Sequence, residues 1–378
     1  MQRILELQAN QIETLLSKHR IPSQVLGGTV TPRTVRFELA LDLGARITQV
    51  QRLSEELALS LSVPTCRIVR QDGILNIEVP RARPKRVGLL EVSRRLSHIP
   101  PCTPLLGLDE AGLPLLLNLR SPDVAHVLIS GTTGSGKTAL ARCMALSLTM
   151  NNPQRLVQLV LIDPKGRSFA PLSGLPHLLC PMESSIADVK DRLGWLVAEM
   201  EHRDEHGRCE PRLVVFVDEL AELLLLGGRE VELAITRLSQ RGRESGVHLV
   251  ACVQKPTVSL MGSLAKANFP LRIVGSVTSA DEARIAAGIA GTGAERLGGH
   301  GDFVLVTKGR STRFTAAYAG IDDIHTIVQQ VQPGNLATAA PERQACRALQ
   351  TKGPRPISVL AQGSSNDVFK LCESAGGV

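Results

Sequence analysis

Eight residues, Gly131-Thr132-Thr133-Gly134-Ser135-Gly136-Lys137-Thr138, constrain this chain more than any others. They stand between an apolar run, His126-Val127-Leu128-Ile129, and a helical run, Ala139–Leu148. The pattern is G-x-x-x-x-G-K-[ST] in a strand–loop–helix setting. Glycines let successive backbone N–H groups turn inward, and the helix that follows adds free N–H donors and the positive end of its dipole. The stretch therefore reads as a phosphate cradle. Gly131, Thr132, Thr133, Gly134, Ser135, Gly136, Lys137, Thr138 and Ala139 are its expected nucleotide contacts, with Lys137 on the β- and γ-phosphates and the Thr138 hydroxyl on Mg2+.

A second signal lies about 80 residues further on, where the apolar run Leu213–Val217 ends in Asp218-Glu219. Alone, a solvated strand end would explain it. After a phosphate loop it reads as two carboxylates with different tasks, Asp218 holding the metal through its water shell and Glu219 polarising an attacking water. Such a pair argues for hydrolysis of the nucleotide rather than simple binding. Gln254 closes the apolar run Val247–Val253, where a polar side chain can sense the γ-phosphate; its plain alternative is a satisfied loop glutamine. Arg237, Arg241 and Arg243 lie on what reads as a helix leading into Gly246. One of them can be an arginine finger for a neighbour's nucleotide, or all three a solvated basic face, and spacing does not separate these.

The organisation follows the alternation of apolar runs. Those at 126–129, 156–162, 213–217, 247–253 and 271–277 have helical segments between most of them, which predicts a parallel sheet flanked by helices. Before them, residues 1–19 have helical spacing, Val35–Leu41 alternates as a half-buried strand, and residues 52–62 return to helical spacing. Cys66–Arg70 and Ile74–Val79 flank Gln71-Asp72-Gly73, a hairpin signature. The expected fold is α/β: residues 1–99 as a small α+β domain, broken near Pro100-Pro101, then 100–331 as a larger domain with a mainly parallel sheet. Residues 332–341 read as a linker and 342–378 as a short helical tail, for which a reduced winged helix and a merely packed or disordered segment are both open.

Composition narrows the setting. The chain has 378 residues, 43% of them hydrophobic and 21% charged, enough for two or three domains with ordinary cores. A formal charge of +7 fits a polyanionic partner but is mild at this length. The eight cysteines are scattered without a CxxC pair or a Cys/His cluster, so reduced thiols are expected and a zinc site is not. Met1–Arg20 carries Glu6 and Glu13 in place of a signal peptide, and no apolar run nears the ~18 residues of a membrane span. The expectation is a cytoplasmic protein without an integral membrane segment, its recruiting partner unidentified.

Beside Gly131–Thr138, the segments Leu161-Ile162-Asp163-Pro164-Lys165, Leu175-Pro176-His177-Leu178-Leu179, Trp195–Glu201, Val217–Leu223 and Lys266–Ile273 together resemble the FtsK/SpoIIIE DNA translocases, which implies that residues 100–331 form a RecA-like motor domain. The likeness spans about residues 5–330, the N-terminal module resembling the small domain that precedes the motor in that family. It implies ATP and Mg2+ as cofactors, and a ring, expected to be a homo-hexamer, around double-stranded DNA. It also implies Arg243 as the finger and Lys255 and Arg284 near the DNA-facing loops. Contacts of that kind go to phosphates and are blind to sequence. One Trp, one Tyr and seven Phe leave little for stacking on single strands. Val253-Gln254-Lys255-Pro256 departs from the family's Thr-Gln-Arg-Pro, and Ala280 replaces a usual lysine, so the grip on DNA is weaker or differently placed. Two other readings stand beside a DNA translocase: a secretion or conjugation ATPase acting on a protein or nucleoprotein, and a non-catalytic DNA-binding switch. The intact Lys137, Thr138, Asp218 and Glu219 speak against the last.

Overall fold

The computed structural model describes residues 2–42, 45–71, 73–257, 269–331 and 368–370. The chain divides into two compact units, Met1–Arg86 with Glu110–Gly112, and Val87–Asp109 with Leu113–Val378.

In the first unit, α1 (Gln2–Lys18) is followed by β1 (Ser23–Val30), β2 (Thr34–Leu41), α2 (Ile47–Arg52), α3 (Ser54–Ser60), β3 (Arg67–Gln71) and β4 (Ile74–Pro80). The strands form one antiparallel sheet in the order β1-β2-β4-β3. Ile12 and Leu16 of α1 pack with Phe37, Leu57 and Ile77 in a core of its own. Sequence reasoning places α1, β2 and the β3–β4 hairpin but misses β1. That edge strand is largely exposed, carries Gly27-Gly28 and shifts register between Val25 and Gly27, so it has no clean alternation to read.

The second unit begins earlier than Pro100-Pro101. Its β5 (Val87–Gly88) pairs with β14 (Arg310–Tyr318), and α4 (Leu89–Arg94) buries Leu89 and Val92 in the larger core. There follow β6 (Leu105–Asp109), β7 (Pro114–Leu117), β8 (Val127–Ser130), α5 (Lys137–Asn151), β9 (Val157–Ile162), α6 (Ile186–His206), β10 (Arg212–Val217) and α7 (Leu220–Arg241). The remaining elements are β11 (Val247–Val253), β12 (Leu271–Val274), α8 (Ala280–Ala287), β13 (Asp302–Thr307) and α9 (Ile321–Gln330). The sheet is mixed. The strands β9-β10-β11-β8-β12 run parallel, as the alternation predicts, and β13, β14, β6 and β7 extend it antiparallel.

The parallel strands read as unbroken apolar runs because both faces are covered. On β10, Val214 and Phe216 face the layer of α5 and α9, while Leu213, Val215 and Val217 face α6 and α7. The same alternation sends Val127 and Ile129 of β8 one way and Leu128 the other. Helix α5 is buried almost all round, as an Ala- and Leu-rich helix under a sheet can be. The expected linker 332–341 lies outside the described residues, as does the tail except for Val368–Lys370. Those three residues are extended and pair with β7, where the sequence pattern predicts helix. The described cysteines are free thiols, buried except for the half-buried Cys209.

Candidate nucleotide-binding site

Parallel strands end together, so the residues after β8, β9, β10, β11 and β12 meet along one edge of the sheet, where ligands of such folds bind. The register is tight: Ser130 pairs with Val253 and with Val274, and Val217 with both Ala251 and Ile162. Gly131, Asp163, Asp218 and Gln254, each belonging to a motif or candidate of the sequence, stand one step past these residues.

After β8 the loop turns into α5. Gly131 has φ +145° and Gly136 has φ +103°, backbone that a side chain resists. A Cβ at Gly136 would also stand 3.0 Å from the Gly301 nitrogen. Among the described residues no side chain caps α5 at Gly136, which leaves its first-turn N–H groups for a ligand. Lys137 is buried, and its Nζ donates to the carbonyls of Gly131 (2.6 Å) and Thr132 (2.9 Å). Burial lowers the pKa of this ammonium, opposed by the nearby Cys252, Glu219 and Asp218. The far side of the loop is clamped by backbone: His300 N–H donates to Gly134 O (3.1 Å), and Gly301 N–H to Ser135 O (2.8 Å). Thr132 is tied by its N–H and hydroxyl to the Ser276 carbonyl. Sequence reasoning finds neither clamp, although the glycine cluster Gly298-Gly299-His300-Gly301 is a signal available there.

Asp218 lies opposite the loop. Its Oδ1 accepts from the Thr138 hydroxyl (2.8 Å) and its Oδ2 from the Ser168 hydroxyl (2.6 Å). Ser168 in turn is placed by Asp163, a fully buried carboxylate that accepts the N–H groups of Lys165, Ser168 and Phe169. The Ile-Asp-Pro-Lys segment thus builds a carboxylate-pinned loop that delivers a hydroxyl to Asp218. Lys165 pairs with Glu222 at 2.9 Å.

Glu219 is buried beside Asp218. Its Oε1 accepts the Gln254 N–H (3.3 Å), and its Oε2 has no partner among the described residues. Burial raises its pKa, the Asp218 charge adds to that, and the Gln254 bond, Lys137 and Lys165 oppose it. A carboxylate of raised basicity with one unsatisfied buried oxygen is suited to accept a proton. Gln254 touches both sides of the site, since its side-chain Oε1 accepts from Thr133 Oγ1 (3.3 Å). These groups fit Mg·ATP: N–H donors and an ammonium for phosphates, a hydroxyl and carboxylate for Mg2+, and an unsatisfied base.

The arginines separate here. Arg237 and Arg241 belong to α7 and pair with Glu201 (3.8 Å) and Asp204 (2.8 Å) of α6. Arg243 is not on the helix. It sits in the turn beyond, is exposed, and makes no side-chain bond among the described residues. That turn precedes β11, whose far end carries Gln254. Six residue steps of strand, ~20 Å, hold Arg243 away from its own phosphate loop. Lys255 is exposed next to Gln254, and its charge is felt by Glu282 on α8. Arg284, exposed on the same helix, lies 3.8 Å from Asp281. The structure therefore brings Lys255 toward the helix of Arg284, but acidic residues open that helix.

A phosphate loop between the central strand and a buried helix, facing an Asp-Glu pair on the same sheet edge, defines a P-loop nucleoside-triphosphatase fold. The FtsK/SpoIIIE family model matches residues 96–207 and 204–258, and the FtsK alpha domain model matches residues 2–81. The chain belongs to the FtsK/SpoIIIE family. The DNA translocase SftA of Bacillus subtilis is 32% identical over 358 residues, covering 87% of this chain and 37% of that protein. The DNA translocase FtsK of Sporosarcina ureae is 30% identical over 398 residues, covering 96% and 49%. The chain thus spans less than half the length of these relatives. Among solved structures, the pCW3 conjugation coupling protein TcpA with ATPγS superposes with a TM-score of 0.59 at 17% identity, covering 86% of this chain and 99% of that one. The cytoplasmic domain of the Thermomonospora curvata type VII secretion ATPase EccC gives a TM-score of 0.55 at 25% identity, covering 64% and 32%. No helix among the described residues is long and apolar enough to cross a membrane.

Proposed function

We propose that this chain hydrolyses ATP and uses the cycle to move along double-stranded DNA as one subunit of a ring, a homo-hexamer in the simplest form. The observation that carries the reading is the position of Gln254. Its backbone N–H holds Glu219, its side chain holds Thr133, and its next residue is the exposed cation Lys255. Bound Mg·ATP would supply the electrophilic phosphorus and the leaving group. The residues of this chain do the rest. Lys137, Gly131–Gly136 and the first turn of α5, from Lys137 to Ala139, would hold the phosphates. Thr138 and Asp218 would hold Mg2+, with Ser168 keeping Asp218 turned toward it. Glu219 would take the proton of the attacking water. Gln254 would register the change and pass it to Lys255.

Arg243, too far from its own loop, would reach the nucleotide of a neighbouring subunit. Lys255 and Arg284 would meet DNA phosphates, giving a grip indifferent to base sequence. The setting we propose is the cytoplasm, where duplex DNA and ATP meet. The relatives with substantial sequence identity are named DNA translocases, which favours DNA over a secreted protein as substrate.

The test is ATP turnover with and without linear duplex, at low and moderate salt, with Lys137→Ala as the blank. Stimulation by duplex that fades as salt rises supports the reading. Turnover indifferent to duplex moves the substrate to protein and removes the roles given to Lys255 and Arg284.

A further inference from the structure

The C-terminal end of α6 carries a second constellation, on the opposite edge of the sheet from the phosphate loop. His202, Glu205 and His206 are all exposed, and one ligand atom from each lies within 4.8 Å of the others. Their spacing is the reason: positions three and four apart share one helix face. The other charged residues of that turn are committed elsewhere. Arg203 is buried, donating to the carbonyls of Pro211 and Ser245, and Asp204 accepts from Arg241 and from the Ser245 hydroxyl.

We propose that His202, Glu205 and His206 bind a divalent transition-metal ion of the zinc type. Two imidazoles one turn apart form a bidentate clamp, the arrangement by which H-x-x-x-H helices hold zinc. The His206 ring is already set for it. Its Nδ1 lies 2.7 Å from the His202 carbonyl, which can only accept, so Nδ1 donates there and Nε2 is the nitrogen left for a metal. The two rings lie 4.2 Å apart between centroids. Bonds of ~2.0–2.1 Å at a tetrahedral angle bring ligand atoms to ~3.3 Å of one another, a closure that exposed side chains make by rotamer change. Glu205 supplies a third ligand and neutralises charge, and water completes the shell. A cation there also meets the negative end of the α6 dipole. Imidazole ligands select zinc-like ions over Mg2+, which keeps this site chemically distinct from Thr138 and Asp218. The cysteine pattern holds no hint of it, since its ligands are histidines on a helix.

The site stands independently of the ATPase reading. Its test uses the full chain without a histidine tag, stripped with a chelator and titrated with Zn2+ in excess Mg2+ by calorimetry. Co2+ is the spectroscopic probe. The expected result is one Zn2+ per chain and a Co2+ visible spectrum of low coordination number. His202→Ala and His206→Ala each weaken binding at least about tenfold, and His325→Ala, an exposed histidine on α9, leaves it unchanged. Circular dichroism confirms that the variants, altered only at exposed positions, remain folded. No zinc uptake overturns the proposal, and so does native affinity in the double variant His202→Ala/His206→Ala.

Discussion

Asp163→Asn is the sharpest test of how the site is built. The native carboxylate is fully buried, with Oδ1 accepting the Lys165 N–H at 3.1 Å and Oδ2 accepting those of Ser168 (2.6 Å) and Phe169 (3.2 Å). Asparagine keeps the shape but has a single acceptor oxygen, so in either orientation its NH2 faces an N–H donor. In the milder orientation the Lys165 bond is lost, and a hydrogen bond to a charged group is worth ~1.5–3 kcal/mol. The other two become neutral bonds and weaken. The expected loss is about 2–4 kcal/mol, read as a lower urea midpoint for the larger unit at unchanged slope. Because the same loop delivers Ser168 to Asp218, the Mg2+ concentration needed for half-maximal ATP turnover should rise as well. A variant within about 0.5 kcal/mol of native, with unchanged Mg2+ dependence, would refute the role given to Asp163.

Burial, with the neighbouring His248 adding to it at His126, pushes His126 down to about 3, and burial pushes His248 to about 4. Both are depressed, so their stability contribution is complete above the unfolded value of ~6.5 and is lost as pH falls below it, ~2 kcal/mol each by pH 5; urea midpoints at pH 7 and pH 5 should differ accordingly, and the difference should shrink in His126→Asn. Gly136→Ala forces a Cβ onto a φ of +103° and against Gly301. It should cost ~1–3 kcal/mol and most nucleotide affinity in a fluorescent-nucleotide titration; native affinity would count against the backbone clamp on the loop. Lys255→Ala and Arg284→Ala should each weaken duplex binding on every sequence and lower the salt slope by about 0.9, whereas an unchanged slope removes that residue from the interface. Arg243→Ala and Lys137→Ala should each be inactive alone and regain turnover when mixed, and full activity of Arg243→Ala alone would move the finger elsewhere.

What is legible in the sequence is whatever repeats with a period or sits in a dense motif. The β8, β9, β10 and β11 strands are continuous apolar runs because both of their faces are buried, and around their ends Thr138, Asp218, Glu219 and Gln254 come within bonding reach of the site, where spacing puts them. The antiparallel half is less legible: β6 and β7 span only five and four residues, β14 opens on exposed polar residues, and the pairing of β6 with β14 joins segments far apart in the chain. Ser168 escapes for a related reason. A lone serine has no pattern, and its role exists only because Asp163 folds the loop back on Asp218. The Leu-Pro-His-Leu segment is a family mark in the sequence, and its physical task emerges only in three dimensions. Residues 177–183 run beside β9, with His177 O accepting the Leu159 N–H and Leu179 N–H donating to Leu159 O, so the sheet edge is covered. His177 is buried there with Nε2 on the Asn152 carbonyl. Arg243 separates from Arg237 and Arg241 through its place in the turn beyond α7 and through the α6 partners that those two have.

The strand β11 joins the two ends of the proposed cycle. All seven of its residues are buried, and it is hydrogen-bonded on both sides, to β10 and to β8. A strand so confined moves as a unit or not at all, since sliding by one residue would turn every side chain to the wrong face. Before it stands the turn with Arg243, and after it stand Gln254 and Lys255. In the proposed ring, a neighbour's nucleotide acting on Arg243 would push on the same rigid element that would sense this subunit's own nucleotide through Gln254. Compliance has to lie at its two ends, where Gly242 and Gly246 flank Arg243 and where Pro256 follows Lys255. Coupling between the proposed subunits would then need no separate relay through the core: it would require only that the turn at one end and the Gln254 contacts at the other each have two arrangements.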